Sequence, residues 1–90
     1  MEIRYAILYL EEVARKHIPT LSSSAKILIK RAIEERLAID PVGFGKPLRY
    51  SLKGHRSLRV SDYRIVYRIE PKTVIIIAIK HRRDVYTDFL

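Results

Sequence analysis

Along the chain the apolar residues change period three times, and each change predicts a change of element. Residues 2–8, EIRYAIL, are β-branched, aromatic and partly alternating, which predicts an opening strand. From Leu10 the spacing becomes helical: Leu10, Val13, Ala14 and Ile18 share one face. This helix should stop before Pro19, because the residue before a proline avoids the α region. Serines 22–24 are N-cap candidates for a second helix. Its stripe runs through Ala25, Leu28, Ile29, Ala32, Ile33, Arg36 and Leu37 and ends at Asp40-Pro41.

The three glycines and one of the four prolines fall within residues 42–54, so this stretch reads as a loop, with a turn of extended chain near Pro47 to Tyr50. The period then drops to two. Residues 56–60, 63–69 and 73–79 predict three consecutive strands, joined at Ser61-Asp62 and around Pro71-Lys72. Residues 74–79 are apolar on both faces, as in an interior strand. Strand, αα-hairpin and three strands make an α+β fold: a small, antiparallel-type sheet with both helices packed on one face. Ninety residues, 48% of them hydrophobic, suffice for one such core, so residues 1–90 form a single domain.

If Ser61-Asp62 is a two-residue hairpin loop, Val60 faces Tyr63, Arg59 faces Arg64 and Leu58 faces Ile65. Leu58, Val60, Tyr63, Ile65, Tyr67 and Ile69 then form the floor for the helices. Ser57, Arg59, Arg64, Val66 and Arg68 occupy the opposite face. Like charges directly opposite in an antiparallel pair repel. Folding gives no reason for Arg59 to face Arg64, whereas a bound anion does; the competing reading is a solvated face whose arginines fan outward. Lys80, His81, Arg82, Arg83 and Tyr86 follow at the end of the last strand. Cations, an imidazole and a phenol near one groove suit phosphodiester chemistry, whose transition state gathers negative charge while one proton leaves and another arrives. Taken singly, His81 also fits a surface strand end, and Tyr86 fits a tail packed on the sheet.

Charge by halves agrees with a polyanionic partner. Residues 1–45 hold seven Lys/Arg and six Asp/Glu, and residues 46–90 hold eleven and four, so +7 of the net +8 lies in the second half.

Other chemistries find less support. Cysteine is absent, which removes disulfides and thiolate chemistry and suits a reducing cytoplasm. His17, His55 and His81 lack metal-ligand spacing and the acids are scattered, so neither metal nor cofactor is expected. Gly43-Phe44-Gly45-Lys46 lacks the framework of a phosphate loop. Ser22 to Ser24 have no histidine partner in sequence and suit a cap better than a nucleophile. The opening residues do not look like a secretory signal, and no apolar run approaches the ~18 residues of a membrane span. Trp is missing too, as are Asn and Gln, and loss of these thermolabile amides is one trend of thermophile proteins.

The string KPLRYSLKGHRSLRVSDYRIVYRI, followed by a strand and HRRDVY, resembles the RelE/ParE toxin superfamily of type II toxin-antitoxin systems over nearly the whole chain. The hairpin and tail carry the resemblance; the helical half is generic. The resemblance implies a ribosome-dependent endoribonuclease, an mRNA interferase that cuts the A-site codon without metal by attack of the RNA 2′-hydroxyl. By position it implies catalytic roles for Arg59, Arg64, Arg82 and Tyr86. His81, Arg56, Arg83, Arg68 and Lys80 are further catalytic or RNA-binding candidates. RelE has a second lysine where this chain has Ser57, and a longer hairpin loop. The implied partners are the ribosome, mRNA and an acidic, amphipathic antitoxin that folds on binding. The ParE branch shares the fold, lacks the RNA-cutting set and poisons DNA gyrase, which is the alternative expectation; a non-catalytic nucleic-acid-binding relative is a third.

Overall fold

The computed structural model describes residues 4–49 and 54–83. A five-stranded sheet has the order β1-β5-β4-β3-β2, with β1 Ala6–Tyr9, β2 Lys46–Pro47, β3 Arg56–Val60, β4 Tyr63–Glu70 and β5 Thr73–His81. Neighbours are antiparallel except for β1, which runs parallel to β5. The α+β expectation therefore holds, with one parallel edge pair. The opening strand begins later than expected, at Ala6; residues 1–3 lie outside the described part.

Both helical arms contain a π-helical stretch, and in the first this changes which residues are buried. In Val13–His17 the Ile18 N–H bonds to the Val13 carbonyl, five residues back. Val13 is fully buried and Ile18 partly so, while Leu10 and Ala14, expected on the same stripe, are exposed. An i, i+5 turn brings Val13 and Ile18 into line and rotates Ala14 away. The arm does not stop before Pro19: a 3₁₀ turn, Ile18–Thr20, takes the proline near its start, where the missing N–H costs nothing.

The second arm begins as expected, with Ser22 Oγ accepting from the Ala25 N–H at 3.1 Å ahead of α1, Ser23–Ala32. It continues as a π-helical stretch, Ile33–Leu37, in which the Ala38 N–H bonds to the Ile33 carbonyl. Ala25, Ile29, Ala32, Ile33 and Leu37 are buried; Leu28 (43% exposed) and Arg36 fall outside the stripe. Asp40-Pro41 ends this arm and also starts another helical turn. The Asp40 carboxylate accepts from the Gly43 N–H at 2.9 Å and caps α2, Pro41–Phe44, inside the stretch expected to be loop.

The helical arms cover the sheet face bearing Leu58, Val60, Ile65, Tyr67, Val74, Ile76 and Ile79, with Tyr63 and Ile69 at its margin. The floor read from the sequence is the floor observed. In β5 the register slips between Val66↔Ala78 and Tyr67↔Ile76, so Ile77 is an extra, bulged residue. Beyond the bulge the alternation inverts: Ile79 and His81 share the helical side with Val74 and Ile76, and Lys80 lies on the other. Among the described residues no helix is long and apolar enough to cross a membrane.

Candidate active site

The β3–β4 hairpin closes on Ser61-Asp62, with Ser61 at φ 55°. Its register is Val60↔Tyr63, Arg59↔Arg64 and Leu58↔Ile65, as the alternation requires. On the other side of β4, Arg64 lies opposite Lys80. One rung thus carries three cationic residues on three adjacent strands, an arrangement that a sheet would disfavour without a counter-charge.

Arg82 is brought to the same place by the backbone. Its N–H donates to the Asp62 carbonyl at 2.6 Å, fixing the end of β5 against the hairpin turn. Arg59, Tyr63, Arg64 and Arg82 line one cavity of about 180 Å³. Arg59 Nε donates to the Ser61 carbonyl at 3.3 Å, and Arg82 Nη1 lies 3.9 Å from the Asp62 carboxylate. The latter pair is solvated on both sides and holds Arg82 only weakly.

Arg64 has the firmest support. Its Nη1 donates to Ser57 Oγ at 3.2 Å, and Ser57 is only 4% exposed. Ser57 pairs with Val66, two residues beyond Arg64, so this is a diagonal cross-strand contact. Position 57 therefore supplies a hydroxyl that orients a guanidinium. Ser57 and the cavity wall Tyr63 are the two site residues that sequence reasoning did not single out for this role. Alternation placed Ser57 on the Arg59 face, and the hairpin register placed it diagonal to Arg64, so the signal was present.

The other candidates are distributed around this cavity. His81 packs edge-on against Tyr63, with ring centroids 5.4 Å apart and planes at 80°, and its Nδ1 accepts from the Arg83 N–H at 3.3 Å. Lys80 and His81 line an adjoining cavity. Arg68 lies further along β4, 3.3 Å from Glu70, and Arg83 is exposed and does not line the arginine cavity. Arg56 is committed elsewhere: its Nη2 donates to the carbonyls of Val42 at 2.7 Å and Gly45 at 2.9 Å, clasping α2 to β3. Beside it, the Tyr67 hydroxyl donates to the Pro41 carbonyl at 2.5 Å. Burial pushes the Tyr67 phenol above its ordinary range, against a lowering influence from Arg56. Tyr86 lies outside the described residues. Among the described residues no three His, Asp or Glu side chains converge as metal ligands.

The five-stranded sheet under a two-armed helical layer has counterparts among known proteins. The family model described as "ParE toxin of type II toxin-antitoxin system, parDE" matches residues 6–86. The chain belongs to this toxin family. It is 44% identical over 52 residues to Toxin RelG of Mycobacterium tuberculosis, a match covering 56% of this chain and 60% of that protein. It therefore spans less than two thirds of that relative's length. Among solved structures, the toxin-antitoxin complex RelBE2 from M. tuberculosis holds a chain with a TM-score of 0.82 and 29% identity, covering 89% of this chain and 93% of that one. A chain of the RelB-RelE antitoxin-toxin complex from Methanococcus jannaschii shares the fold, with a TM-score of 0.64, 17% identity and coverage of 92% and 98%. The RelE/ParE resemblance seen in the hairpin and tail is thus a family membership, and the five-stranded, helix-covered sheet is the fold of the family's RelE-like members.

Proposed function

We propose that this RelE/ParE-family chain is a ribosome-dependent endoribonuclease that cleaves mRNA in the A site. The observation carrying the proposal is the cavity of about 180 Å³ in which Arg59, Arg64 and Arg82 meet. In the reaction the RNA 2′-oxygen attacks the adjacent phosphorus, the P–O5′ bond breaks, and the products are a 2′,3′-cyclic phosphate and a 5′-hydroxyl. The 2′-hydroxyl proton goes to a base and the leaving oxygen gains one. Arg59 and Arg64, from adjacent strands, hold the scissile phosphate and offset the charge that grows on its non-bridging oxygens. Arg82 faces the leaving oxygen. A guanidinium parts with its proton reluctantly, so charge stabilisation is its main contribution. Tyr86 is assigned base stacking or proton removal.

The test is purified protein with programmed ribosomes. A-site cleavage leaving a cyclic phosphate supports the reading, and intact mRNA under conditions where the protein arrests growth refutes it. The ParE name of the matching family model favours one rival, inhibition of DNA gyrase. A supercoiling assay separates the two, since an RNA cutter leaves gyrase unaffected.

The partner we propose is an acidic, amphipathic antitoxin that folds on this chain, which would act in the cytoplasm with the ribosome. The RelBE2 and RelB-RelE relatives are themselves toxin-antitoxin complexes. The +7 half-chain and the edge strand β1, with Leu8 53% exposed, suit such a segment.

A further inference from the structure

β5 outruns the strand beside it. β1 ends at Tyr9, opposite Ile76, and the Leu10 N–H donating to the Ile76 carbonyl at 3.2 Å closes their ladder. Past the bulge at Ile77, residues 78–81 have a strand on one side only, β4. The Ile79 N–H, on the edge that β1 has left, donates to His17 Nδ1 at 3.2 Å. His17 is half-buried and closes the π-helical stretch Val13–His17, and its carbonyl accepts the Thr20 hydroxyl at 2.7 Å. A side chain of the first arm thus takes the place of a strand where β5 runs on toward the arginine cavity. Three residues further, the Arg82 N–H is fixed to the Asp62 carbonyl at 2.6 Å, and Arg82 lines that cavity.

We propose that His17 is a positioning residue for Arg82: it holds the end of β5, and with it the Arg82 guanidinium, in the cutting arrangement only while its imidazole is neutral. The kinetic side of this rests on the endoribonuclease reading and adds a dependence on pH to it. Nδ1 accepts the Ile79 N–H through its lone pair; in the imidazolium both ring nitrogens carry protons, and a donor would face a donor. The other ties of this strand end, the β4 ladder and the Asp62 carbonyl, are backbone groups that do not titrate, so the His17 bond is the one that a proton breaks. The titratable groups lining the cavity beside His17 are Lys16 on its own arm, Tyr63 on β4, and His81 and Lys80 on β5, with Lys80 on the far face of the sheet. Glu11 and Glu12, earlier on the arm, pair with Arg15 at 2.6 Å and with Lys16 at 4.0 Å. Together these groups set the pH at which the bond is lost.

The experiment follows A-site cleavage on programmed ribosomes, and the NMR spectrum of the full chain alone, from about pH 8 to about pH 5, the range over which histidine changes charge. His17→Asn puts an amide oxygen where Nδ1 lies and does not titrate; His17→Leu removes the acceptor. At the upper pH, His17→Asn should cut within about threefold of the parent and His17→Leu about five- to tenfold more slowly, the effect of one lost hydrogen bond. On acidification the parent should lose about five- to tenfold more single-turnover rate than His17→Asn, because only the parent gives up that bond. In the parent the Ile79 and Arg82 amide signals should both follow the titration of the His17 ring, and that component should vanish from both in His17→Asn. If the parent and His17→Asn lose rate alike, or if the Arg82 amide is indifferent to His17 while mRNA is cut, the assignment of His17 is wrong and the endoribonuclease reading survives. If the parent cuts no mRNA at any pH, the endoribonuclease reading falls, and the Arg82 amide alone decides for His17: a signal that follows the ring keeps it as the tie of the β5 end, and a signal that stays put removes it.

Discussion

Arg59 and Arg64 lie directly opposite each other across the β3–β4 hairpin, with Lys80 next along the same rung. Like charges so placed cost about 0.2–1 kcal/mol. Arg59→Thr should therefore raise the stability of the isolated protein by an amount in that range while weakening cleavage. Urea unfolding at low and high salt provides the check. The gain should shrink as salt screens the pair, and a variant less stable than the parent at low salt would contradict the repulsion.

Ser57 acts through Arg64. Removing its hydroxyl takes away one oriented hydrogen bond, worth about 1 kcal/mol, and leaves every cation in place. Ser57→Ala should lower single-turnover cleavage about five- to tenfold, far less than loss of Arg64, with a loss of stability of no more than about 1 kcal/mol. Ser57→Thr, which keeps the hydroxyl, should recover part of the loss.

Arg56 should behave in the opposite way. Its guanidinium joins β3 to the carbonyls of Val42 and Gly45. Arg56→Ala should cost about 1.5–3 kcal/mol, the range for hydrogen bonds from a charged donor, and cleavage per folded molecule should stay within about twofold of the parent. Denaturation and active-site-normalised kinetics, measured side by side, separate the two effects.

The raised Tyr67 phenol makes stability depend on alkaline pH. A phenol that ionises less readily in the folded chain than in the unfolded one gives its full contribution below the unfolded value of about 10. The contribution is lost as the pH rises from there through the folded value. Tyr67→Phe should flatten this decline. It should also cost about 1–3 kcal/mol at neutral pH, because the Pro41 carbonyl loses its donor. Tyr9, raised by burial and by Glu34, should leave a residual slope of the same sign.

Much of the sheet was legible because alternation and a two-residue loop leave one register: Leu58, Val60, Ile65 and Tyr67 must face the helices, and Arg59 must then face Arg64. The β5 bulge was not legible. A run that is apolar on both faces tolerates an extra residue at Ile77 without exposing a polar side chain, so the sequence carries no mark of the inversion that sets Lys80 beside Arg64. The second helical arm was legible in position and largely in phase, since Ala25, Ile29, Ala32, Ile33 and Leu37 of its stripe are buried. The first was not in phase: its π-helical stretch pairs Val13 with Ile18 at i, i+5, and a 3.6-residue template assigns Leu10 and Ala14 to the wrong side. The helical turn after Asp40 had a readable signal, an Asp cap followed by proline, hidden by the glycines that follow it. At the candidate site, the grouping of Arg59, Arg64 and Arg82 followed from the hairpin and the strand end. The separate duty of Arg56 did not, because the partner carbonyls lie 14 and 11 residues away in a stretch expected to be loop.

The central claim is that guanidinium groups from neighbouring strands stabilise the charge on a phosphate during RNA cleavage. The most direct measurement is the single-turnover rate of A-site mRNA cleavage on programmed ribosomes by Arg64→Ala, with folding confirmed by circular dichroism. The account predicts a loss of about 10²–10³-fold, the effect of removing a donor to a charged transition state. A folded Arg64→Ala protein that cuts at the parental rate would contradict it.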